Sequence, residues 1–528
     1  MEWSQLVLTN DGHSSLSFDR VSSIARVLWE PQTRGSSVLV NRHLPKPNNI
    51  WRHFMTSTSM GGQVMRPYEP TYDPLVNATP GQGTGYAPSY WVASAGNPPP
   101  DDGPIRGDTD ADVVVIGSGS TGMSTALYLA REHGITATVL DAAQTSWGCS
   151  SRSGGQGQNA NGRLTRSQWI ERWGMDVAKR LDTEVRTGFE NFKQLTKEIE
   201  CEAYDGGHLY MAHRPKKLDY LREQTRVRNE VFGYRARMLT AEEVREQHCD
   251  EREHLGAMYE EEGVGIHPLK FTFGLIRKAR ELGVKVHPAS PVQGWKTVNG
   301  VHHLQTPGGV VRAKRVVVCT GGYTGQTLNP MLKNKILPIL SNSVVTRPLT
   351  DAEMAACNFK SKTFMTDTRT LRFYYRLLEG NRLQLGSRSS ITGADAQDPV
   401  HLKLLTDAIA RKFPPLAGIQ IDHSWWGWVD VSHDMMPRIA RPDPKETVWH
   451  ALGYGGNGVA SSTWAGKRIA ERVAGKDAGR EVFNLPIYNS PLEYPNVLNM
   501  VRSEAFAPFR RFGQFFLYKW YWLLDEKS

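Results

Sequence analysis

Three glycines between residues 117 and 122 have the spacing of a phosphate-binding turn. Gly117, Gly119 and Gly122 form the pattern G-x-G-x-x-G directly after Asp112–Ile116, an apolar β-branched run typical of a buried strand. In such a turn the first glycine permits a tight bend, and the second lets the backbone approach a pyrophosphate. The third lets the following helix pack closely on the strand, so the spacing predicts a phosphate at this turn.

An acidic residue closes the same unit. A helix is predicted over Ser120–Glu132, and its positively polarised start, at Ser120 and Thr121, would face the phosphate charge. A second strand over Ala137–Leu140 leads to Asp141, where a carboxylate can accept the hydroxyls of an unphosphorylated adenosine ribose. The combination predicts a dinucleotide site. The alternative is a glycine-rich turn in some other α/β protein.

Three later segments offer further contacts to a dinucleotide. Trp147–Gln156 combines small hydroxyl residues, glycines and one arginine, which suit close approach to a pyrophosphate or a flavin ring, or else form a polar loop. Val292 follows a short strand and could give backbone contacts to adenine. Thr320, Gly321 and Gly322 end the buried run RVVVCTGGY. The position of this run after the strand-helix-strand unit favours a fold that binds a flavin dinucleotide over one that binds a nicotinamide dinucleotide.

A second glycine cluster near residue 455 repeats the first spacing. Gly453, Gly455 and Gly458 again read G-x-G-x-x-G, but no second strand and acid follow, so a second nucleotide site is rejected. A glycine turn that leads into a helix could instead direct its amides at the electron-rich edge of a reduced flavin. The distance between the two clusters in sequence fits an FAD molecule that extends across the whole domain.

Alternating apolar and polar residues over Ile336–Ser390 predict antiparallel strands that form a substrate roof over the flavin. The candidates for substrate contact in or near this sheet are Tyr374, Tyr375, Arg376, Trp425, Trp426 and Trp428. For the aromatic residues, core packing is the favoured interpretation. Arg376 could pair with a substrate carboxylate. His267, at a predicted helix start, could be a catalytic base, although a capping or packing role is favoured.

Composition and segment boundaries suggest four parts. They are a disordered leader (1–85), an arm (86–110), a body that carries the predicted dinucleotide site (111–480, with the substrate sheet mainly at 336–435) and an aromatic, basic tail (481–528). The tail is expected to pack on the body or on another subunit, in preference to anchoring at a membrane.

The net charge is +9, but the basic residues are scattered along the chain, so no nucleic-acid partner is expected. No apolar run is long enough for a transmembrane segment. Five widely spaced cysteines without a C-x-x-C pair predict a reducing, cytoplasmic location, no disulfide framework and no metal site.

Four sequence blocks occur in the order of a known family: SYWVASA with ADVVVIGSGSTG, then WGCSSRSGGQ, then RVVVCTGGY, then DMMPRIARP with GYGGNGV. Over about residues 89–475 the chain resembles FAD-dependent oxidoreductases of the D-amino-acid oxidase superfamily, especially the gamma-glutamylputrescine oxidase branch. The resemblance implies an α/β fold, with a Rossmann-like FAD domain of the glutathione-reductase type and an antiparallel-sheet substrate domain.

The resemblance also implies noncovalent FAD and a set of contacts to it. The implied residues are Gly117, Gly119, Gly122 and Asp141 for the ADP half, Ser151, Arg152, Gly154, Gly155 and Gln156 beside the flavin, Gly321 and Gly322 near the dinucleotide, and Gly455, Gly456, Asn457, Gly458 and Val459 at the ring. Cys149, Ser153 and Asn457 depart from the residues usual in the branch, which leaves the exact substrate open.

The expected reaction is oxidation of a small-molecule amine. Hydride leaves the carbon next to a neutral nitrogen, the imine hydrolyses, and O2 or an electron carrier reoxidises the flavin. A secondary or cyclic amino acid, such as pipecolate or an N-methyl amino acid, is an alternative substrate, and so is a 2-hydroxy acid for a dehydrogenase. An RNA-modifying flavoprotein and a noncatalytic flavin-binding subunit are the more distant alternatives.

Overall fold

The computed structural model describes residues 59–60, 63–64, 69–78, 80, 84–388, 390–490 and 507–527 of the 528-residue chain. Residues 1–58 of the predicted leader lie outside this part. The strands are β1 (Ser59–Met60), β2 (Gln63–Val64), β3 (Thr109–Ile116), β4 (Ala137–Leu140), β5 (Gln156–Gln158), β6 (Tyr204–Asp205), β7 (His208–Met211), β8 (Arg237–Thr240), β9 (Gly256–Glu260), β10 (Gly263–Gly265), β11 (Lys285–His287), β12 (Gly294–Val298), β13 (Val301–Thr306), β14 (Gly309–Val318), β15 (Leu337–Thr346), β16 (Phe364–Asp367), β17 (Tyr374–Leu378), β18 (Arg382–Arg388), β19 (Ile421–Val431), β20 (Arg438–Ala440) and β21 (Val448–Leu452).

The helices of the same residues alternate with these strands. They are α1 (Tyr90–Ser94), α2 (Ser120–His133), α3 (Arg166–Glu198), α4 (Pro215–Phe232), α5 (Ala241–Gln247), α6 (Pro268–Glu281), α7 (Asp351–Ala356), α8 (Pro399–Lys412), α9 (Gly458–Val473), α10 (Pro486–Asn489) and α11 (Ala507–Lys527).

The first large sheet has the strand order β11-β4-β3-β14-β13-β12, with β21 on β14 and β20 on β21. The apolar half of β3, from Val113 to Ile116, is buried on both faces and pairs in parallel with β4 and β14. Residues 309–313, at the start of β14, pair antiparallel with β13. The carboxyl ends of β3, β4 and β14 therefore meet at one edge, where an α/β sheet binds its ligand.

Helix α2 covers one face of this sheet and is limited by glycines. Gly119 is its N-cap, and Gly134 ends it in the left-handed conformation, with φ +65°. Helix α9 crosses α2 at Gly466, where an added Cβ would lie only 2.6 Å from the Cβ of Ser124. The absence of a side chain there lets the two helices approach closely, and both then begin at the same cavity.

The second large sheet has the order β19-β15-β18-β17-β16-β7-β9-β8 and is antiparallel except between β7 and β16. The predicted antiparallel substrate sheet is thus confirmed. The sheet also includes β7, β8 and β9, which lie between α3 and α6 in the chain. Helix α8 packs on one face of the sheet through Leu405, Ala408 and Ile409, and the other face borders the cavity.

The amino-terminal arm and the tail both pack on this body. Tyr72 is 3% exposed, so the packed chain begins before the boundary predicted at residue 85. Asp73 forms a salt bridge of 2.8 Å with Arg511 of α11. One face of α11 lies against the body, while Phe512 and Trp520 on its other face are exposed. Among the described helices, none combines the length and the apolar character that a membrane span requires.

Candidate active site

A cavity of about 290 Å³ lies between the two large sheets. Gly117 and Asp141, at the carboxyl edge of the parallel strands, line one end. Thr366 and Tyr374 of the antiparallel sheet line the other end. The cavity therefore connects the predicted nucleotide turn with the predicted substrate sheet. An elongated ligand with its reactive group at one end could extend along it.

The glycine turn at the start of α2 is shaped by contacts that exclude side chains. Gly117 has φ +103°, and an added Cβ would lie 2.7 Å from the carbonyl oxygen of Cys319. A Cβ on Gly122 would lie 1.9 Å from the carbonyl oxygen of Gly117, so Gly122 packs against the turn and does not line the cavity. Gly119 has no side chain to cap the helix, and Ser150 Oγ accepts a hydrogen bond from the Ser120 amide at 2.9 Å. Gly119, Ser120 and Ser150 all line the cavity, so the polarised start of the helix faces it.

Asp141 closes the nucleotide end of the cavity. Its Oδ2 accepts hydrogen bonds from the backbone nitrogen of Ser118 at 2.9 Å and from the Ser118 hydroxyl at 2.5 Å. Its Oδ1 accepts one from the backbone of Ala143 at 3.0 Å. Burial raises the pKa of Asp141, which these hydrogen bonds oppose. Ser290 and Val292 line the cavity beside it, in the region predicted to contact adenine.

The segment after β4 forms a turn of 3-10 helix over Cys149–Ser151. Arg152 lies 4.2 Å above the ring of Trp147 and lines the cavity. The thiol of Cys149 donates to the carbonyl oxygen of Trp428 at 2.6 Å, and burial raises its pKa to about 12. Cys149 therefore keeps its proton at neutral pH, so it is a poor nucleophile for covalent attachment of a ligand.

The second glycine cluster places the start of α9 at the same cavity. Gly453, Gly455 and Gly456 have φ values of +89°, +64° and +98°, which favour glycine. The Gly453 amide donates to Asp430 Oδ2 at 2.5 Å, which fixes the turn. Asn457 is the N-cap but its side chain donates to the carbonyl oxygen of Gly162, so no side chain caps the first amides of α9.

Comparison with known proteins identifies the family of this chain and its cofactor. The family model for FAD dependent oxidoreductases (DAO) matches residues 112–472, more than half of the chain. The chain belongs to this family of FAD-dependent oxidoreductases. FAD is therefore its cofactor, and the predicted family resemblance is confirmed.

Curated relatives agree with this assignment. The chain is 32% identical over 413 residues to gamma-glutamylputrescine oxidoreductase of Escherichia coli (strain K12), covering 77% of this chain and 94% of that protein. It is 25% identical to sarcosine oxidase subunit beta of Arthrobacter sp, covering 75% and 94%. Among solved structures, glycine oxidase from Geobacillus kaustophilus has a TM-score of 0.59 at 18% identity, covering 73% of this chain and 99% of that one. The last likeness confirms the fold alone.

The residues of the cavity fit FAD. Those predicted contacts that line it are Gly117, Gly119, Ser120, Thr121, Asp141, Arg152, Gly154, Gln156, Val292, Thr320, Gly321, Gly322, Gly456, Asn457, Gly458 and Val459. Of the other predicted contacts, Gly122, Ser151, Gly155 and Gly455 lie behind the lining, where they shape the turns. Gly155, for example, has φ +63°, and an added Cβ would lie 2.3 Å from the carbonyl oxygen of Ile266.

The structure places the three predicted catalytic residues away from the cavity lining. Arg376 is 1% exposed, and its Nη2 donates to the carbonyl oxygen of Ile266 at 2.7 Å. Tyr375 points to the opposite face of the sheet, where it packs near Phe413 and Lys412. This geometry favours structural roles for both residues, in place of the substrate contacts that we predicted.

His267 is the N-cap of α6 and has both ring nitrogens engaged. Nδ1 accepts from the backbone of Lys270 at 3.1 Å, and Nε2 lies 3.1 Å from the Ser94 hydroxyl. Burial and the charge of Lys270 lower the pKa of His267 to about 3. These contacts favour the capping interpretation over a catalytic base.

The three candidate tryptophans do not line the cavity. Trp425 and Trp428 are buried, and Trp426 is partly buried against the apolar cluster that contains Trp428. The indole nitrogen of Trp425 donates to the carbonyl oxygen of Arg152 at 2.9 Å, and Trp428 donates likewise to Tyr72. Trp426 donates to the carbonyl oxygen of Pro70. The favoured interpretation of core packing agrees with these positions.

The substrate end of the cavity is lined by residues that sequence reasoning ranked low or missed. Tyr374, one candidate among six, faces the cavity, and its hydroxyl lies 2.8 Å from the Ser343 hydroxyl. Arg163, Arg372 and Arg388 also line it. Alternation in the sequence run LRFYYRLL puts positions 372 and 374 on one side, which was the available signal for Arg372, although β17 itself begins at Tyr374. Arg163 carries no comparable signal, because it lies in a loop.

Proposed function

We propose that this protein oxidises the C–N bond of an amine or amino-acid-like substrate to an imine, which water then hydrolyses, with O2 as the electron acceptor. FAD, when bound, supplies the chemistry by accepting a hydride from the carbon next to the nitrogen. The observation that carries the proposal is the continuous cavity, which joins the FAD turn at Gly117 to the substrate wall at Tyr374. The chain itself binds and orients the substrate.

The side chains at the cavity suit a substrate that reacts as the neutral amine. Among the described residues that line it there is no histidine, lysine or glutamate. Asp430 accepts from the Gly453 amide, and burial raises its pKa. The positive charges of Arg163, Arg372 and Arg388 disfavour an ammonium group nearby, so they favour the deprotonated amine. No dedicated base is then needed.

Tyr374 orients the substrate from the wall of the sheet. Its ring packs against Gly154, where an added Cβ would lie 3.0 Å from the ring edge. Its hydroxyl is held between the hydroxyls of Ser343 and Ser341, at 2.8 and 3.2 Å. The position of the ring is therefore fixed before the substrate arrives, which reduces the cost of orienting it.

A gamma-glutamylated amine is the substrate class that we favour. The relative named gamma-glutamylputrescine oxidoreductase is matched over 94% of its length at 32% identity. A glutamyl group also carries a carboxylate, which suits the arginines of the cavity. The same arginines favour a secondary or cyclic amino acid or a 2-hydroxy acid as the second candidate, because each carries a carboxylate too.

Anaerobic bleaching of the flavin tests this proposal. The purified holoenzyme is mixed in turn with putrescine, gamma-glutamylputrescine, pipecolate, sarcosine and a 2-hydroxy acid, and air is then admitted. We expect gamma-glutamylputrescine to bleach the flavin, with prompt recovery and formation of peroxide in air. Free FAD with the same compounds is the control. Bleaching by the hydroxy acid alone, or slow recovery in air, would contradict an amine oxidase that uses O2.

A further inference from the structure

Helix α11 has its polar and apolar sides in the reverse of the usual orientation. A surface helix normally turns its apolar side to the core and its polar side to water. In α11 a row of buried and half-buried side chains, three or four residues apart, carries a polar group at every position: Arg511, Gln514, Tyr518, Tyr521 and Asp525. The apolar side of the helix therefore faces away from the body.

Hydrogen bonds near both ends hold α11 in this orientation. Near its start, Nη1 of Arg511 donates to the carbonyl oxygen of Pro338 at 2.9 Å. Near its end, the carboxylate of Asp525 accepts from the backbone nitrogens of Thr370 and Leu371 at 2.9 and 3.1 Å. Because Arg511 and Asp525 lie on the same side of the helix, a rotation that buried the apolar side would break these bonds. The exposed apolar side is therefore a fixed feature of the fold.

The outward side of α11, which we call the aromatic face, is a continuous apolar surface. Its members are Phe509, Phe512, Phe515, Phe516, Trp520, Trp522, Leu523 and Leu524. Phe512 is 61% exposed and Trp520 is 55% exposed. Side chains three and four residues apart meet on a helix surface, and the ring centroids of Phe512 and Phe516 are 4.6 Å apart. An exposed apolar patch of this kind marks an interaction surface.

Basic residues flank the aromatic face. Lys519 is exposed in the middle of it, and Arg510 is half-buried near its start. At its end, Nη1 of Arg214 donates to the carbonyl oxygen of Leu524 at 3.4 Å, and Lys216, two residues further along, is exposed. Among the outward side chains that the structure describes on α11, none is acidic. The charge of this surface therefore complements a negatively charged partner.

An anionic lipid surface matches both properties of the aromatic face. Phenylalanine, tryptophan and leucine side chains enter the boundary between headgroups and acyl chains, and basic side chains are attracted to anionic headgroups. A second copy of this face fits less well. Because Lys519 lies near the middle, antiparallel pairing of two α11 helices would bring two like charges together. The net charge of +9 also favours a negatively charged surface over another copy of the chain.

We propose that the aromatic face of α11 binds the surface of membranes that contain anionic phospholipids, with the helix lying in the plane of the interface. The aromatic side chains enter the lipid, and the amine of Lys519 stays at the level of the headgroups. The body is attached through the polar side of the helix, so binding needs no rearrangement of the fold. The inference goes beyond the proposed function and does not depend on it.

Flotation of the holoenzyme with lipid vesicles tests the proposal. One set of vesicles contains phosphatidylcholine alone, and the other contains phosphatidylcholine with phosphatidylserine. We expect the partition coefficient on the phosphatidylserine vesicles to be at least about tenfold higher, and to fall at high salt because salt screens the charges. No binding to either set, or equal binding to both, would overturn the proposal.

Substitutions on the aromatic face locate the contact. Phe512→Ser and Trp520→Ser should each weaken binding to the phosphatidylserine vesicles by about tenfold, because each removes an aromatic ring from the lipid. Both side chains are exposed in the free protein, so folding and flavin content should stay the same. The matched control is Val298→Ser, which removes an exposed apolar side chain from β12 in the first large sheet. Unchanged binding in both variants of the aromatic face would overturn the proposal.

Lys519→Gln tests the charge. It should weaken binding to the phosphatidylserine vesicles by about fivefold, because it removes one positive charge near the lipid surface. Lys445→Gln, between β20 and β21, removes an exposed charge from another part of the surface and should leave binding unchanged. Equal losses in the two variants would show that binding depends on net charge alone, which would contradict the assignment to α11.

Light scattering without lipid separates the membrane from a second copy of the chain as the occupant. We expect the wild type and Phe512→Ser to have the same mass in solution. A wild-type dimer that dissociates in Phe512→Ser would assign the aromatic face to a second copy and overturn the proposal.

Discussion

The two ends of the cavity were assembled in different ways. The FAD turn is built from residues close together in the chain, because Gly117, Gly122 and Asp141 belong to one strand-helix-strand unit. The substrate wall is built from residues far apart in the chain, since Arg163, Tyr374 and Arg388 line one cavity only in the folded protein. Residue types at a fixed spacing in the chain define the nucleotide end of the cavity, whereas tertiary packing defines the substrate end. Changes at the first should therefore affect FAD retention, and changes at the second should affect the choice of substrate.

The largest expected effect comes from Gly122→Val. Its Cβ would lie 1.9 Å from the carbonyl oxygen of Gly117, a backbone atom that cannot yield without distortion of the turn. We expect loss of FAD retention and destabilisation above about 4 kcal/mol, measured by flavin content and urea unfolding. Gly134→Ala, at the other end of the same helix, is the control. It has φ +65° but open space around it and should cost about 1 kcal/mol with FAD retained. Full flavin content in Gly122→Val would contradict the close packing.

Asp141→Ala should weaken FAD binding by about tenfold to a hundredfold without moving the absorption maxima of the flavin, because the ribose lies far from the ring. The affinity is measured by fluorescence titration of the apoenzyme. Ser118→Ala removes one hydrogen bond to the same carboxylate but leaves the carboxylate itself. It should therefore have a smaller effect. Equal losses in the two variants would show that Asp141 acts only by holding the turn.

The nucleotide end of the cavity was predictable from the sequence because the role of each glycine follows from its position in the G-x-G-x-x-G spacing. The helices α2 and α6, the glycine turns and Asp141 all follow from spacing that the chain shows directly. The substrate wall was harder for a physical reason. In a strand, neighbouring side chains face opposite sides, so a one-residue error exchanges Tyr374 for Tyr375. Strand β7 pairs with β16, about 155 residues away, and no local pattern predicts such a pairing.

The position of Arg376 shows a second limit of the sequence. It shares a strand face with Tyr374, yet the loop that contains Ile266 covers it and takes its hydrogen bonds. Alternation gives the face of a strand but does not reveal which part of that face another segment covers. Likewise, the tail was predicted to pack on the body or on another subunit, but its hydrogen bonds to the backbone of Thr370 and Leu371 were not predicted.

Tyr374→Phe and Tyr375→Phe compare the two faces of the sheet directly. Tyr374→Phe removes a hydroxyl held by Ser343 at the cavity, and we expect kcat/KM to fall by about tenfold. Tyr375→Phe removes a buried hydroxyl that has no hydrogen-bond partner among the described residues. We expect kcat/KM to stay the same, and the stability to be unchanged or raised by about 1 kcal/mol. A larger loss of activity in Tyr375→Phe would place the substrate on the other face of the sheet.

The smallest expected effect concerns His267, which lies outside both ends of the cavity. Its pKa in the folded protein is about 3, because it is buried and faces Lys270 and Arg376, whereas an unfolded histidine has a pKa near its ordinary value of about 6.5. The unfolded state therefore takes up a proton first as the pH falls. The stability from this group is complete above pH 6.5 and is lost progressively as the pH decreases towards 3.

His267→Asn keeps a residue that can cap α6 but removes the titration. Between pH 6.5 and 5, we expect the free energy of unfolding of the wild type to fall by about 2 kcal/mol more than that of the variant, measured by urea unfolding at each pH. His254 and His450, whose pKa values are each lowered to about 4, remain in both proteins, so the difference isolates His267. The pH profile of kcat should not change. If the acidic limb of the pH profile of kcat is lost in His267→Asn, His267 is a catalytic base. Its role would then not be limited to stabilising the start of α6.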